Sequence, residues 1–172
     1  MDEKRLKIAE RNFINYLKRS LIKKESFSEI VYRTYLNNSL ESLNVANELF
    51  KIRLSSLWVV ISSYYSMFYM ASAYLYKKGY KSAQEIVHQV INESLIVLSQ
   101  HDLEIHFLEE YEEEKEKALA ASENILKSYE SEKIKRARFQ YETTEKIKEA
   151  KAKTSLERAK NFVGIMRQIL KN

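Results

Sequence analysis

Cysteine and proline are absent from the 172 residues, and glycine occurs only at Gly79 and Gly164. Without cysteine the chain can form neither a disulfide nor a thiolate metal site. Without proline, and with so little glycine, almost nothing interrupts a helix. The same scarcity excludes a glycine-rich phosphate loop and a glycine-flanked serine nucleophile. Histidine is sparse as well: His88, His101 and His106. A helical metal pair needs ligands three or four apart on one face. His106 with Glu109 or Glu110 has that spacing, but the second Glu-x-x-His motif of a di-iron bundle is missing. No metal and no other cofactor is expected. The opening stretch MDEKRLKIAERNF is charged throughout, unlike a signal peptide. Together with the lack of cysteine, this points to a cytoplasmic setting.

Charge of both signs, by contrast, is plentiful. Lysines and arginines number 29 against 24 aspartates and glutamates, a formal net of +5. That is a mild bias toward acidic partners, short of a nucleic-acid signature. One stretch escapes the charge: the 23 residues from Leu54 to Tyr76, LSSLWVVISSYYSMFYMASAYLY. About 20 apolar residues suffice to cross a bilayer. This run, however, carries six serines and five tyrosines along its length, and membrane tyrosines favour the interfaces. Leu54, Leu57, Trp58, Ile61, Tyr65, Phe68, Ser72 and Leu75 recur at helical spacing. A second face, Val59, Ser62, Ser66, Met70 and Ala73, is small or flexible. A helix apolar most of the way round is buried in protein or in lipid, and the polar positions favour protein. Serines would admit neighbouring helices closely and bond their hydroxyls to backbone carbonyls. No membrane association is expected. The run is the core helix of one domain, long enough to bury about two-thirds of its unfolded surface.

The flanking segments read as further helices. Residues 2 to 24 carry the apolar stripe Leu6, Ala9, Phe13, Tyr16, Leu17 and Leu21 on an otherwise basic surface. Residues 1–25 are thus an amphipathic extension that docks on protein or serves as a basic arm. Residues 26–172 form the bundle. Ser26 or Ser28 opens a helix over 27–50, with Tyr32, Leu36, Leu40, Leu43, Ala46 and Phe50 along one side. The central helix spans about 53–79 and ends near Gly79, which suits a left-handed C-terminal position. Ser82-Ala-Gln-Glu85 reads as a capping box for a helix to about Gln100, with His88 in its second turn. A helix from Asp102 to about Tyr129 follows, and Glu109, Glu110, Glu112, Glu113, Glu114 and Glu116 form its solvated face. It continues or resumes with Ile134, Ala137, Tyr141, Thr144 and Ile147 inward. Thr154-Ser-Leu-Glu157, a second capping box, opens the last helix, with Leu156, Ala159, Val163, Met166 and Leu170 inside. The fold class is all-α: an antiparallel bundle of five to seven helices around a buried central helix. Seven Phe, twelve Tyr and one Trp exceed what one small bundle readily hides, which points to a homodimer.

Residues RLSSLWVVISSYYSMFYMASAYLYKKGY, followed shortly by His88, resemble the HEPN family of helical, nucleotide-binding bundles. The match lies in the aromatic pair, the Ser66-Met67-Phe68 step, Ala71, Gly79 and His88. Arg138-Phe139-Gln140-Tyr141 looks like the family's Arg-x-x-x-Tyr helix, with Arg136 or Arg138 as its arginine. Leu156 to Val163 looks like its last helix. The likeness covers about 27–170, most closely 57–90. It implies a homodimer and often a minimal nucleotidyltransferase partner within a toxin–antitoxin pair. Many members are metal-independent ribonucleases that use an Arg followed four to six residues later by a His. No Arg stands so before His88, His101 or His106; Lys81, seven before His88, lacks the guanidinium fork. The resemblance therefore implies a non-catalytic nucleotide- or RNA-associated binding or regulatory module. Its nucleotide- or phosphate-binding candidates are His88, Arg136, Arg138, Tyr141 and Tyr65. Two alternatives are a ribonuclease pairing His88 with an arginine from 132–149, and an interaction scaffold whose basic first helix grips an acidic partner.

Overall fold

The computed structural model describes residues 1–132 and 145–171, with side chains up to 123 and again from 148. Among these, the elements are six helices and two short strands. Helix α1 (Glu3–Lys18) leads through β1 (Ile22–Lys24) to α2 (Glu29–Lys51) and α3 (Ser56–Lys77). Strand β2 (Tyr80–Ser82), α4 (Val87–Leu98), α5 (Ile105–Glu132) and α6 (Glu145–Ile169) follow. The strands pair antiparallel, with Ile22 opposite Ser82 and Lys24 opposite Tyr80.

The uncharged run is the centre. Fourteen of the 22 residues of α3 are buried, and α2, α4, α5 and α6 all pack on it. The main core joins Tyr64, Met67, Ala71 and Tyr74 of α3 to Leu95 of α4, Tyr111 of α5, and Phe162 and Met166 of α6. The serines do what their size and hydroxyls allow. Ser66 donates to the Ser63 carbonyl at 2.7 Å and Ser72 to that of Phe68 at 2.8 Å, while Ser39 reaches across from α2 to the Ser66 carbonyl at 2.7 Å. No helix among the described residues is long and apolar enough to cross a membrane.

Several boundaries differ from expectation, each for a local reason. The first helix stops at Lys18 rather than running to residue 24. Ser20 takes the left-handed conformation (φ 56°). The Leu21 amide then bonds to the Tyr16 carbonyl at 2.9 Å and the Ser20 amide to that of Leu17 at 3.2 Å, closing a Schellman motif. Arg53 (φ 51°) ends α2 the same way. With two glycines in the chain, ordinary residues fill positions that glycine usually takes; Gly79 (φ 86°) does so after α3, as expected. Past Ser20 the chain is extended and pairs with Tyr80–Ser82, so Ser82 lies in a ladder and caps nothing. Ile86 (φ 40°) opens α4 without a side-chain cap. At the α2 start Ser28 is the N-cap residue, but its hydroxyl makes no cap bond. Tyr76 of α3 stitches that turn instead, accepting from the Ser28 amide and donating to the Ser26 carbonyl, both at 3.0 Å. Thr154 lies inside α6, its hydroxyl bonded to the Ala150 carbonyl at 3.1 Å. The strong helix formers from Glu145 to Lys153 carry the helix past the supposed start. Leu156, Ala159, Val163, Met166 and Leu170 are buried, as read from spacing. Ile134, Ala137, Tyr141 and Thr144 lie outside the described residues, as do the side chains of Ile125 and Ile147.

Candidate functional site

The first turn of α4 sets His88 against the outer stripe of α3. Phe68 lies four residues from Tyr64 and three from Tyr65 on α3, and all three rings converge on one imidazole. Ring centroids lie 5.5 Å (Tyr64), 5.8 Å (Tyr65, edge-on) and 4.7 Å (Phe68) from His88. Tyr65 also meets Tyr69 at 6.1 Å. Tyr64 is fully buried, whereas Tyr65 and His88 are half-buried. The niche is therefore an aromatic wall with a solvent-facing side.

One hydrogen bond orders the niche. The Tyr64 hydroxyl lies 2.8 Å from His88 Nδ1. Burial, reinforced by the nearby Tyr111 hydroxyl, pushes Tyr64 ionisation far above the ordinary tyrosine range, so the hydroxyl keeps its proton. Burial also pushes His88 below its ordinary 6.5, helped by the Lys115 ammonium. Lys115 is itself nearly buried and pairs with Glu116 at 3.0 Å. In the tautomer in which Tyr64 donates to Nδ1, the neutral imidazole carries its proton on Nε2, which has no hydrogen-bond partner among the described residues. That tautomer offers one N–H donor beside stacking faces. That combination suits binding a planar, hydrogen-bonding ring.

The structure thus brings two of the sequence candidates, His88 and Tyr65, together. Arg136, Arg138 and Tyr141 lie outside the described residues. Tyr64, Phe68 and Lys115 complete the niche and were not singled out as site residues. The first two sit within the recognised α3 pattern, but nothing local marks Lys115. His106 Nδ1 lies 3.3 Å from Glu104 and its ring is tilted against Phe107 at 4.0 Å, while Glu109 and Glu110 have other partners. Among the described residues no group of three or more His, Asp or Glu is placed to hold a metal ion.

The acidic run of α5 is not a simple solvated face. Arg5 of α1 grips Glu93 of α4 at 2.8 and 2.9 Å and Glu112 at 2.7 and 3.2 Å; Asn92 adds a bond to Glu112 at 3.2 Å. The Met1 ammonium pairs with Glu109. On the other side Arg158 of α6 meets Glu113 at 2.6 Å, the buried Glu114 at 3.0 Å and Glu110 at 3.5 Å. These carboxylates clamp α1 and α6 to α5.

A concavity of about 540 Å³ lies where α3 and α6 end. The side chains of Tyr74, Lys77, Lys78 and Asp102 are bonded within it. The Tyr74 hydroxyl meets Asp102 at 2.5 Å, Lys78 meets Asp102 at 2.9 Å, and Lys77 donates to the Leu170 carbonyl at 2.5 Å. This is a latch between helix ends. Compared with known proteins, the chain matches no family model, no curated protein and no solved structure.

Proposed function

We propose that the chain is a HEPN-type module that binds a nucleotide or an RNA base without cleaving it. The observation that carries this reading is the niche itself: a neutral imidazole tied at Nδ1 by Tyr64 and flanked by Tyr65 and Phe68. An unpaired base stacks on aromatic faces and hydrogen-bonds through its edge; Tyr65 would supply the face and His88 Nε2 the donor. The cation acting on His88 is Lys115, a point charge already shared with Glu116. It lacks the fork that a transition-state phosphate asks of arginine. That favours binding over catalysis.

The α2–α3 corner, where Ile52, Leu54, Leu57 and Trp58 are exposed, is the surface that a second copy would cover in a homodimer. A minimal nucleotidyltransferase remains the partner that the HEPN resemblance implies. Calorimetry with AMP and other mononucleotides tests the binding reading. Tyr65→Ala should weaken binding about 5- to 100-fold, the range of one lost stacking contact. Mixed RNA incubated with the protein and no metal should stay intact. Cleavage abolished by His88→Ala overturns the non-catalytic reading in favour of a ribonuclease.

A further inference from the structure

The whole formal charge of the molecule is carried by its first 24 residues. They hold eight lysines and arginines against three carboxylates, a net of +5. The chain as a whole also nets +5, so the remaining residues balance. Within α1 the cations are sorted by face. Arg5 turns inward and is taken by Glu93 and Glu112. Lys4, Lys7, Arg11 and Lys18 follow at intervals of three, four and seven, which places them on one exposed stripe with Ile14. At 1.5 Å per residue that stripe is about 21 Å long. Lys7 shares its charge with Glu3 at 2.7 Å. Lys4, Arg11 and Lys18 have no carboxylate partner among the described residues. In the next element Lys23 stands directly opposite Lys81, with Glu25 3.6 Å from the Lys23 ammonium.

A merely solvated face pairs its charges, as α6 does where Lys153 faces Glu157. Here Glu3 answers Lys7 alone, and Lys4, Arg11 and Lys18 are left over. The segment is not a loose arm, because Arg5 and the buried Ala9, Phe13 and Tyr16 hold α1 in place. We propose that the α1 stripe is a binding surface for the phosphodiester backbone of a nucleic acid. The identity of that polyanion rests on the nucleotide-binding reading of the His88 niche. Two other occupants fit less well. A membrane-surface helix needs a broad apolar face toward lipid, and the apolar face of α1 is already buried against α4. A protein interface is poor in lysine at its centre, whereas this stripe has one apolar residue among four cations. Phosphates ask only for a row of cations.

Fluorescence anisotropy of the full chain with a labelled single-stranded RNA, and with DNA of the same sequence, tests the proposal across about 50 to 200 mM salt. The expected result is salt-dependent binding of RNA, or of both alike, with a log–log slope near about −3 for four contacts. The variant Lys4→Glu/Arg11→Glu/Lys18→Glu, all exposed positions, should bind at least about tenfold more weakly with a slope shallower by about 2. The neutral variant Lys4→Gln/Arg11→Gln/Lys18→Gln should follow in the same direction. Lys153→Glu/Lys160→Glu on α6 should bind as the unaltered chain does. AMP binding should survive in all of these variants, which separates failure of the stripe from failure of the niche. Unchanged RNA affinity after charge reversal overturns the proposal. So does capture of phosphatidylserine vesicles in place of nucleic acid, which would make the stripe a membrane surface.

Discussion

At Arg5 one guanidinium holds carboxylates from two other helices. Its side chain and that of Glu93 are largely buried, so removing the cation strands negative charge in a poorly solvated place. Breaking such a pair costs about 3 to 5 kcal/mol. Arg5→Met should lower stability toward the lower end of that range, since Glu112 keeps more solvent contact. Urea unfolding measures it, and amide exchange in α1 should quicken more than exchange in α3. Sequence alone could not have found this residue: its partners are 88 and 107 positions away, and no periodicity links them. His88 and Tyr65 were legible because they belong to a local pattern with its own spacing. The acidic run misled for the opposite reason. Glu109 to Glu116 look alike in sequence, yet Glu114 is buried and Glu113 exposed, a difference set by which helices lie alongside.

Among the elements, α3 declared itself, because a long uncharged run in a charged chain has few places to go. The strands did not. Each is three residues long, in lysine-rich sequence, and each exists because the other is there. The helix stops were hidden by the scarcity of glycine. An L-residue in the left-handed region costs roughly 1 to 2 kcal/mol. Ser20→Gly should therefore raise stability by about 0.5 to 1 kcal/mol, provided the gain exceeds the added freedom of the unfolded chain. Gly79→Ala should lower it by about 1 kcal/mol. Space is not the obstacle there, since an added Cβ at residue 79 meets nothing within 4 Å. Thermal melts of the two variants should shift in opposite directions.

For the molecule as a whole, net charge was the coarsest guide and the most deceptive. Averaged over the chain, +5 is unremarkable; gathered on one helix and the strand after it, it makes a surface. The folded state also sets how the protein meets acid. Hydrogen bonds from Tyr74 and Lys78 hold Asp102 below the usual carboxylate range. Arg5, outweighing burial, does the same for Glu112, as Arg158 does for Glu113. Each contributes stability that is complete above the unfolded pKa, near about 4, and is lost as pH falls through the lowered folded value. His88 acts earlier. Its pKa is below 6.5 in the fold, so the unfolded chain takes up that proton first and stability begins to fall below about pH 6.5. Chemical unfolding against pH should show two descents, and His88→Gln should remove the upper one alone.

His88 and its tyrosines are proposed above as a seat for a nucleotide. Imidazole NMR resonances during titration with AMP report on it most directly. The account predicts a saturable shift of the His88 ring signals, accompanied by Tyr65 and lost in Tyr65→Ala while α3 stays folded. His88 signals that stay fixed through the titration, in a protein whose spectrum is otherwise that of the folded bundle, would contradict it.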